Sequence, residues 1–485
     1  MELPTARNAS FRNTIIVGLL SVTLINFLSM KKRSKSNCPI APTSFIENIK
    51  QLCGNKAVFF LLDTMRALKS DIYKLKVPGI SGGGFYIIGN SEATRQILLD
   101  ETTEKPTEVY KSFNNIAGDK SMFAAATKDP YWYHVRKGTA PAFSSSEVKR
   151  MVYICEKNLD TWIRDELKPL MDSKDTFDPY TEMTYLTFKI ILESAFEYRN
   201  ASRQEYEFLR YNLEKCLKEF TFKEMTNPLR SLFTMWIPER RKAFEMSGEL
   251  QAFAANLLEK YRNNPNKSVN NTVIRLIENN PSLSEKSKIA EILVFFIAGF
   301  DTTGSQLASA LILLAKYPEE AEKLKEDLLS SGMSEDKAPA TRSKYLKSVI
   351  QECTRIMPVG ASGSIRVTGK EFTFKNGTVT VPKNSIIWTP FLLMFRNEEY
   401  FDKPDEFRPG RWMDADKEMM QALVPFSLGK RNCIGQRLAD AELYCCLAML
   451  FSKYKFELVV EGTPVYFMNL KYIGAKLRPS RIDLE

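Results

Sequence analysis

The stretch Phe426–Gly435, which reads FSLGKRNCIG, decides how the rest of this sequence is interpreted. Two glycines, Gly429 and Gly435, flank Cys433 and allow the backbone to turn tightly and approach a flat ligand. An apolar-periodic segment follows, and N–H groups at the start of its helix would stabilise a thiolate on Cys433. Arg431 is placed to meet an anionic group on the same ligand. A single cysteine is usually a buried structural residue, but the full pattern F-x-x-G-x-R-x-C-x-G favours a ligand-binding thiolate.

Composition and charge describe an ordinary globular chain. Of its 485 residues, 44% are hydrophobic and 26% are charged, which excludes a disordered chain and a polytopic membrane protein. A core large enough to enclose a cofactor is feasible at this length. The net charge of +10 fits an acidic membrane surface or an acidic protein partner. Nucleic acid is the weaker alternative, because zinc-finger spacing, a helix-turn-helix pattern and a dense basic tract are all absent.

The cysteines and the single histidine restrict the kind of metal site. The eight cysteines form no C-x-x-C pair, and His134 is the only histidine. A structural zinc site and a disulfide framework are therefore disfavoured, and a reducing compartment fits best. Any bound metal must be held mostly by something other than side chains. We expect His134 on a helix surface or near the ligand carboxylates, not as an axial ligand.

The N-terminus predicts a membrane anchor. Residues 14–30 carry no charge, and as a helix they would be roughly 25 Å long, close to an endoplasmic-reticulum bilayer of about 27 Å. A cleaved signal peptide is the alternative, but Lys31, Lys32 and Arg33 follow directly where a small-residue cleavage site would be expected. The positive-inside rule then places the bulk of the chain in the cytosol. We expect a short lumenal segment at 1–13, a linker at 31–45 and one domain at 46–485.

That domain is predicted to be mainly α-helical with a minor β region. Two short β-type runs surround Ser81–Gly84 and predict a hairpin. Apolar periodicity predicts helices at 91–100, 147–170, 181–197, 203–220, 241–262, 284–316, 317–330, 343–356 and 434–453. Strands are predicted at 365–367, 372–374, 378–381 and 385–388, and again near the C-terminus.

With the cysteine pattern, four further motifs in the same order make the chain resemble the cytochrome P450 family. They are W-x-x-x-R at Trp132–Arg136, A-G-F-D-T-T at 298–303, E-x-x-R at Glu352–Arg355, and P-D-E-F-R-P-G-R-W at 404–412. The resemblance spans roughly residues 45–480. Two departures exist: the linker lacks a dense proline cluster, and Gly410 stands where a glutamate is common. The family implies one haem-thiolate fold in which a long central helix lies over the haem.

The resemblance also implies the residues that bind haem b. Cys433 is expected to be the axial thiolate ligand, which donates electron density that favours O–O cleavage. The residues expected to contact the cofactor, including its buried propionates, are Trp132, Arg136, Arg366, Phe426, Arg431 and Gly435. Glu352 and Arg355 are expected to form a buried pair, joined by Arg411, that braces the cysteine loop without taking part in catalysis.

The central helix carries a polar cluster in an otherwise apolar run. Residues 292–300 and most of 307–315 are apolar on all sides, as in a buried helix. A buried hydroxyl without a partner costs roughly 1–3 kcal/mol, so the cluster at 301–306 needs a reason. Threonine can bond back to the preceding turn, and a transmembrane hairpin is disfavoured by Asp301. The functional hypothesis is that Gly299 makes room for dioxygen while Asp301 and Thr302 deliver protons.

The family implies a monooxygenase that inserts one oxygen atom into a sterol, fatty acid or other lipophilic molecule. The chain has no convincing flavin or nicotinamide motif, so an NADPH-dependent flavoprotein reductase in the same membrane is the expected donor, with a cytochrome b5-type protein as a second candidate. Three alternatives stay open: an oxygen-independent peroxide isomerase or dehydratase, a non-catalytic haem sensor or carrier, and a membrane-tethered interaction protein with an inactive haem site. Retention of Asp301 and Thr302 favours oxygenation.

Two surface features are hypotheses. The segment Met225–Ile237 is rich in Leu, Phe, Met and Trp, and it either dips into the membrane beside the substrate entrance or packs in the core. Lys430 and Arg437 flank Cys433 and either form a basic face for an acidic reductase or are simply solvated.

Overall fold

The structure is a computed structural model in which residues 37–77, 80, 83–224, 228–331 and 343–482 are described. The expected anchor at 14–30 and the lumenal segment before it lie outside these residues. The expected linker is described from residue 37. Cys38 and Ala41 are already buried, and the backbone of Ile40 pairs with that of Lys74. Packed structure therefore begins several residues before the expected domain start at 46.

The described chain is mostly helical, as the sequence predicts. The helices are α1 Phe45–Leu52, α2 Ala57–Leu68, α3 Ser91–Leu99, α4 Thr107–Tyr110, α5 Asn114–Ala117, α6 Pro130–Thr139, α7 Ser145–Trp162, α8 Lys168–Ser173, α9 Pro179–Phe196, α10 Arg203–Leu217, α11 Pro238–Asn263, α12 Val273–Glu278, α13 Glu285–Lys316, α14 Pro318–Ser330, α15 Lys344–Ile356, α16 Phe391–Phe395, α17 Lys417–Ala422 and α18 Gln436–Phe451. The nine predicted helices correspond to α3, α7, α9, α10, α11, α13, α14, α15 and α18. The helices α1, α2, α4, α5, α12, α16 and α17 were not predicted.

The β region is small and divided among four sheets. Its strands are β1 Ile72–Lys76, β2 Gly84–Ile88, β3 Ser364–Val367, β4 Phe372–Phe374, β5 Val379–Val381, β6 Ile386–Thr389, β7 Tyr454–Val460, β8 Thr463–Phe467, β9 Asn469–Ile473 and β10 Lys476–Arg481. The four-stranded sheet has the order β1-β2-β6-β3, and the pairs β10-β7, β4-β5 and β8-β9 are separate.

The predicted hairpin is present and is extended by strands from the second half of the chain. β1 and β2 are antiparallel, with Ile72 opposite Ile88. β6 then joins β2 in parallel, with Phe85 opposite Ile386, and β3 pairs antiparallel with β6. This register sets Arg366 opposite Ile387 and fixes that arginine on the sheet.

The long helix α13 is held against α9 by a close approach at two glycines. A Cβ on Gly304 would lie 2.6 Å from Cα of Thr184, so only glycine fits there. A Cβ on Gly299 would lie 2.6 Å from Cδ1 of Ile191. The expectation that Gly299 makes room for dioxygen is therefore wrong, because the space it leaves is filled by α9. Although α13 is long and apolar enough to cross a bilayer, its apolar part is mostly buried inside the protein.

Capping side chains fix where these two helices begin. Asp178 accepts a hydrogen bond from the backbone N–H of Thr181 at the start of α9, where Pro179 occupies the first turn. Ser284 accepts one from the backbone N–H of Ser287 at the start of α13. The caps set the register in which the polar cluster of α13 meets its neighbours.

A buried charge network ties α15 to the segment that precedes the cysteine loop. The carboxylate of Glu352 accepts two 2.8 Å hydrogen bonds from Arg355, and both side chains are fully buried. Arg411 adds a third bond at 3.0 Å, as the family resemblance implies. The indole of Trp412 and the backbone N–H of Arg408, which the sequence did not indicate, each donate at 2.8 Å.

The remaining guanidinium donors of Arg355 hold the chain that follows. They reach the carbonyl oxygens of Phe395, Pro404 and Glu406 at 3.0, 2.5 and 2.9 Å. All five guanidinium N–H groups are thereby engaged, so this buried cation is compensated without any ligand.

We expect Glu352→Gln to lower the free energy of unfolding by about 3–5 kcal/mol, because it leaves the buried guanidinium of Arg355 uncompensated. Burial alone would raise the pKa of Glu352, but hydrogen bonds and charge from Arg355 lower it overall. The stabilisation that Glu352 provides is therefore fully present above the pKa of an unfolded glutamate. It is lost as pH falls through the lower pKa that Glu352 has in the folded protein. Urea unfolding at several pH values should show that Glu352→Gln has a lower free energy of unfolding than the parent, and that this difference becomes smaller toward acid pH.

The matched control is Glu326→Gln on α14, an exposed glutamate for which we expect a change within about 0.5 kcal/mol. A deficit for Glu352→Gln no larger than this control at neutral pH would contradict the proposed bracing role. Haem content of the purified variant gives a second measure, since a displaced cysteine loop should retain little cofactor.

Candidate functional site

The cysteine loop is a tight turn closed by its own backbone. The N–H of Cys433 donates to the carbonyl of Phe426 at 2.9 Å. Gly429 adopts a φ of +71°, and a Cβ there would lie 2.5 Å from the carbonyl oxygen of Leu98, so both conformation and space require glycine. The helix α18 begins at the next turn. Backbone N–H groups of Gly435 and Gln436 therefore point toward the Cys433 sulfur.

The Cys433 side chain is exposed, yet it is surrounded by protein. Burial raises the pKa of its thiol, while the Gly435 N–H and the charge of Arg136 act in the opposite direction. Of the other described cysteines, Cys53 is half-buried and the rest are buried. An accessible sulfur in a desolvated environment faces an internal cavity, which is what a thiolate ligand to a bound group requires.

Four cations gather around this cavity, three of them expected and one not. They are Lys105, Arg136, Arg366 and Arg431. Within the described ranges, none of the four has a carboxylate oxygen within 4.0 Å, although many other lysines and arginines are paired. Burying positive charge without a partner is costly, so the cluster implies an anionic ligand.

The lowered pKa values of these cations also indicate that an anionic ligand belongs among them. Burial, and then the nearby charge of Arg366, lower the pKa of Arg431 to about 10. Burial and the charges of Arg431 and Arg366 also hold the pKa of Lys105 well below its ordinary value. Burial lowers the pKa of Arg366 as well. The charge of Glu104 acts on Arg366 and Arg431 in the opposite direction, but it offsets the effect of burial only in part.

Arg431 reaches across to the segment before α6. Its Nη2 donates to the carbonyls of Met122 and Phe123 at 3.2 Å each, and its Nη1 is buried without a hydrogen-bond partner among the described residues. The guanidinium lies 5.0 Å from the ring centroid of buried Trp132. An unused, buried donor is a direct sign that a further acceptor belongs at this point.

Arg136, one of the expected cations, is held against the cysteine loop. It donates to the carbonyl and the side-chain oxygen of Asn432 at 3.0 and 2.7 Å. It therefore braces the backbone immediately before Cys433 and brings positive charge toward the sulfur. His134, on the same helix, is exposed at the surface, as expected.

Lys105 is the cation that sequence reasoning missed. Its ammonium donates to the carbonyl of Phe123 and lies 3.8 and 4.0 Å from the ring centroids of Tyr110 and Phe123. The sequence around it, Glu104-Lys-Pro106, has the composition of an exposed loop. No local pattern distinguishes this lysine from a solvated one, because Phe123, Arg366 and Arg431, which surround it, come from later parts of the chain.

The polar cluster of α13 is divided between two roles. The Thr302 hydroxyl donates back to the carbonyl of Ala298 at 2.7 Å, and that of Ser305 to the carbonyl of Asp301 at 2.6 Å. Ala298 is exposed and Thr302 is partly exposed, although most of the surrounding helix is buried. Residues four apart share one helix face, so this face opens onto interior space.

Asp301 is fixed by two side chains that the sequence did not indicate. The hydroxyl of Tyr180 donates to one carboxylate oxygen at 2.9 Å, and the amide of Asn469 donates to the other at 2.5 Å. α13 also packs directly on α18, the helix that begins beside Cys433. The structure thus brings the cysteine loop and the polar cluster of α13 together.

These observations agree with a bound haem. A planar dianionic porphyrin with a metal needs one sulfur ligand, several fixed cations for its two carboxylates, and an open helix face on the opposite side. The exposed Cys433 sulfur, the unpaired cations and the free Nη1 of Arg431 supply the first two requirements. The face formed by Ala298 and Thr302 supplies the third.

A family model described as Cytochrome P450 matches residues 39–485. The chain is similar to Probable cytochrome P450 508A2 of Dictyostelium discoideum, with 26% identity over 380 residues that cover 73% of this chain and 76% of that protein. It is also similar to Cytochrome P450 3A6 of Oryctolagus cuniculus, with 25% identity over 404 residues, 77% of each.

In protein without a bound ligand, we expect Arg431→Met to raise the free energy of unfolding by roughly 1–3 kcal/mol. A folded pKa of about 10, below that of an unfolded arginine, means that folding opposes this charge throughout neutral pH. With haem bound, the sign should reverse, because a cation that would meet a carboxylate has been removed. Thermal unfolding of haem-free and haem-loaded protein measures both effects.

Arg437→Met on α18 is the matched control, since Arg437 is exposed. We expect Arg437→Met to change the free energy of unfolding by no more than about 0.5 kcal/mol in both the haem-free and the haem-loaded protein. The electrostatic account of the cluster would be wrong if Arg431→Met destabilised the haem-free protein as strongly as the haem-loaded protein.

Proposed function

The chain belongs to the cytochrome P450 family, and on that premise we propose which of its residues carry the family's chemistry. It is a haem-thiolate monooxygenase with haem b bound through a cysteine thiolate. When bound, this group activates dioxygen, and electron donation from its sulfur ligand favours cleavage of the O–O bond. Reducing equivalents come from NADPH through a reductase, and substrates are hydrophobic.

Cys433 is the axial ligand in this proposal. The observation that carries it is the accessible sulfur at the start of α18, in a desolvated cavity beside unpaired cations. Backbone N–H groups of Gly435 and Gln436, together with the charge of Arg136, favour the thiolate against the cost of burial. The carbonyl of Phe426 closes the loop by accepting from the Cys433 N–H, and Gly435 would leave room beside the sulfur for the cofactor.

The unpaired cations would bind the two haem carboxylates. Arg431 has a free buried donor, and Arg366 is fixed on β3 by its register with β6. The ring face of Trp132 supports the Arg431 guanidinium, and Lys105 adds an ammonium donor. Arg136 contributes charge while it holds Asn432. Bound carboxylates would remove the mutual repulsion of the cluster.

Asp301 and Thr302 would supply protons on the oxygen side. Thr302 lies on the face of α13 that opens to the interior, and its hydroxyl would have to turn from the Ala298 carbonyl to donate into that space. Asp301 is the adjacent carboxylate and is tethered at both oxygens. General acid catalysis of this kind contributes typically about 10²–10⁴-fold to a rate.

We propose an anchor at residues 14–30 that holds the catalytic domain on the cytosolic side of the endoplasmic reticulum. A second contact with the bilayer is supported at 232–236, where Leu232, Met235 and Trp236 are 74%, 76% and 77% exposed. Such an apolar patch is unusual on a water-facing surface. Arg241 and Lys242 follow it and are exposed, whereas Arg240 is buried and paired with Glu224. Sterols and fatty acids partition into the membrane that this patch would touch.

An NADPH-dependent flavoprotein reductase is the proposed electron donor, with a cytochrome b5-type protein as a second one. Arg437 is exposed at the start of α18, close to the cysteine loop. Lys430 is exposed too, but it already pairs with Glu101 at 2.7 Å, so its charge is partly neutralised on this face. Arg437 is therefore the better supported of the two contacts.

Carbon monoxide binding to the reduced protein tests the proposed ligand. The parent protein should show the long-wavelength absorption typical of thiolate ligation, and Cys433→Ala should lose it because no sulfur remains below the iron. Cys53→Ala, which removes a half-buried cysteine elsewhere, should keep the band. Persistence of the band in Cys433→Ala would reject Cys433 as the ligand.

Trp236 provides a test of the membrane contact in the full chain. The other four tryptophans are at most 7% exposed: Trp132, Trp162, Trp388 and Trp412. Brominated lipids quench only indole groups that enter the bilayer, so we expect partial quenching in the parent and almost none in Trp236→Phe. The proposal fails if the quenched fraction is the same in both proteins.

A further inference from the structure

A row of polar side chains, joined by two hydrogen bonds and one ion pair, leads from the carboxylate of Asp301 to the protein surface. Tyr180 Oη lies 2.9 Å from Asp301 Oδ1, and Lys471 Nζ lies 2.5 Å from Tyr180 Oη. Glu214 follows at 3.8 Å from Lys471 Nζ, and its side chain is 42% exposed. The row thus joins a half-exposed carboxylate on α10 to a tethered carboxylate on α13.

Four separate elements meet to form this row, so it depends on the tertiary fold. Tyr180 comes from the first turn of α9, Lys471 from β9, Glu214 from α10 and Asp301 from the middle of α13. Lys471 and Tyr180 are buried, and the Lys471 ammonium also lies 4.2 Å from the Tyr180 ring centroid. A buried lysine whose nearest carboxylate is at 3.8 Å is costly unless its position has a use.

The chemistry of Lys471, Tyr180 and Asp301 fixes which group donates and which accepts in each hydrogen bond of the row. An ammonium group can only donate, so Lys471 occupies an acceptor position of the Tyr180 oxygen. Tyr180 must then direct its own proton elsewhere, and Asp301 is the acceptor in reach. Burial, and then the charges of Asp301 and Glu214, raise the pKa of Tyr180 well above its ordinary value, so the phenol stays protonated.

We propose that Glu214, Lys471 and Tyr180 form the route by which protons from solvent reach Asp301. The inference rests on the proposed role of Asp301. In each transfer, Glu214 first takes a proton from solvent. The protons then shift together along the row: Lys471 gains one from Glu214 and gives one to Tyr180, which gives its hydroxyl proton to Asp301. When Asp301 releases a proton to the interior, one proton has crossed the row, no electron has moved and every group is back at its starting charge.

Asn469 has a different role at the same carboxylate. Its amide donates to Asp301 Oδ2 at 2.5 Å, but an amide is no proton carrier at neutral pH. We assign Asn469 to positioning, because it holds Asp301 so that Oδ1 faces Tyr180. Tyr180, Lys471 and Glu214 act through Asp301 and are likewise not catalytic residues.

The experiment compares Tyr180→Phe and Lys471→Arg with Tyr206→Phe. Tyr206 is a buried tyrosine of the same region whose hydroxyl bonds to Thr184 and Thr181 instead of Asp301. Arginine preserves charge and donors at position 471 but does not release a proton, so a merely structural brace would survive Lys471→Arg. NADPH consumption with microsomal P450 reductase and 7-ethoxycoumarin is measured in H₂O and D₂O.

We expect Tyr180→Phe and Lys471→Arg to slow NADPH consumption at least ~10-fold and to enlarge the solvent isotope effect, while Tyr206→Phe stays near the parent. Turnover driven by hydrogen peroxide should persist in all three variants, because peroxide brings its own protons. Rates and isotope effects for Tyr180→Phe that match those of Tyr206→Phe would overturn the route. A parental rate for Lys471→Arg would reduce Lys471 to a brace.

A second readout needs no turnover. In the resting protein, the phenol C–O infrared band of Tyr180 is assigned by its loss in Tyr180→Phe. It should shift in Asp301→Asn and in Lys471→Met, and stay in place in Tyr206→Phe. An unshifted band means that the row does not exist. Because the carbon monoxide band is recorded for every variant, loss of the route is distinguishable from failure of thiolate ligation.

Discussion

The constraint on which the site depends is buried positive charge that the protein itself does not neutralise. Lys105, Arg366 and Arg431 lie close enough to lower one another's affinity for protons, and the described chain places no carboxylate within 4.0 Å of them. The buried Arg355 shows the contrasting solution, since Glu352 and three carbonyls satisfy it completely. One buried cationic centre is complete within the protein, and we propose that the other is completed by the cofactor. The first braces the cysteine loop, and the second would bind the carboxylates of a group held by that loop.

Much of the fold follows from local sequence signals. Most helices with a clear apolar period begin within a few residues of their predicted start, because caps such as Asp178 and Ser284 lie where the pattern begins. The cysteine loop was predictable for the same reason, since its glycines and the following helix are neighbours in the chain. The Glu352–Arg355 pair was identified from i,i+3 spacing and family resemblance together. Spacing alone would have favoured a solvated pair.

What the sequence did not predict is set by contacts between distant segments. Lys105 lies beside Arg366 and Arg431, and Asp301 is held by Tyr180 and Asn469. All four of these partners are more than a hundred residues away in the chain. The role of Gly299 was wrong because the direction of a helix face depends on its neighbour, here Ile191 on α9. The apolar segment at 232–236 has the composition of a core, and only its position in the fold shows that it is exposed.

The unneutralised cations also link the lifetime of this protein to the supply of its cofactor. A ligand that binds the folded state and not the unfolded state stabilises it by mass action, and here that ligand also removes an internal repulsion. Chains made during haem shortage would therefore unfold more often than chains of a protein with a neutral pocket. Quality-control proteases act on that unfolded fraction. The abundance of the enzyme in a cell should accordingly follow haem availability even when its synthesis is constant.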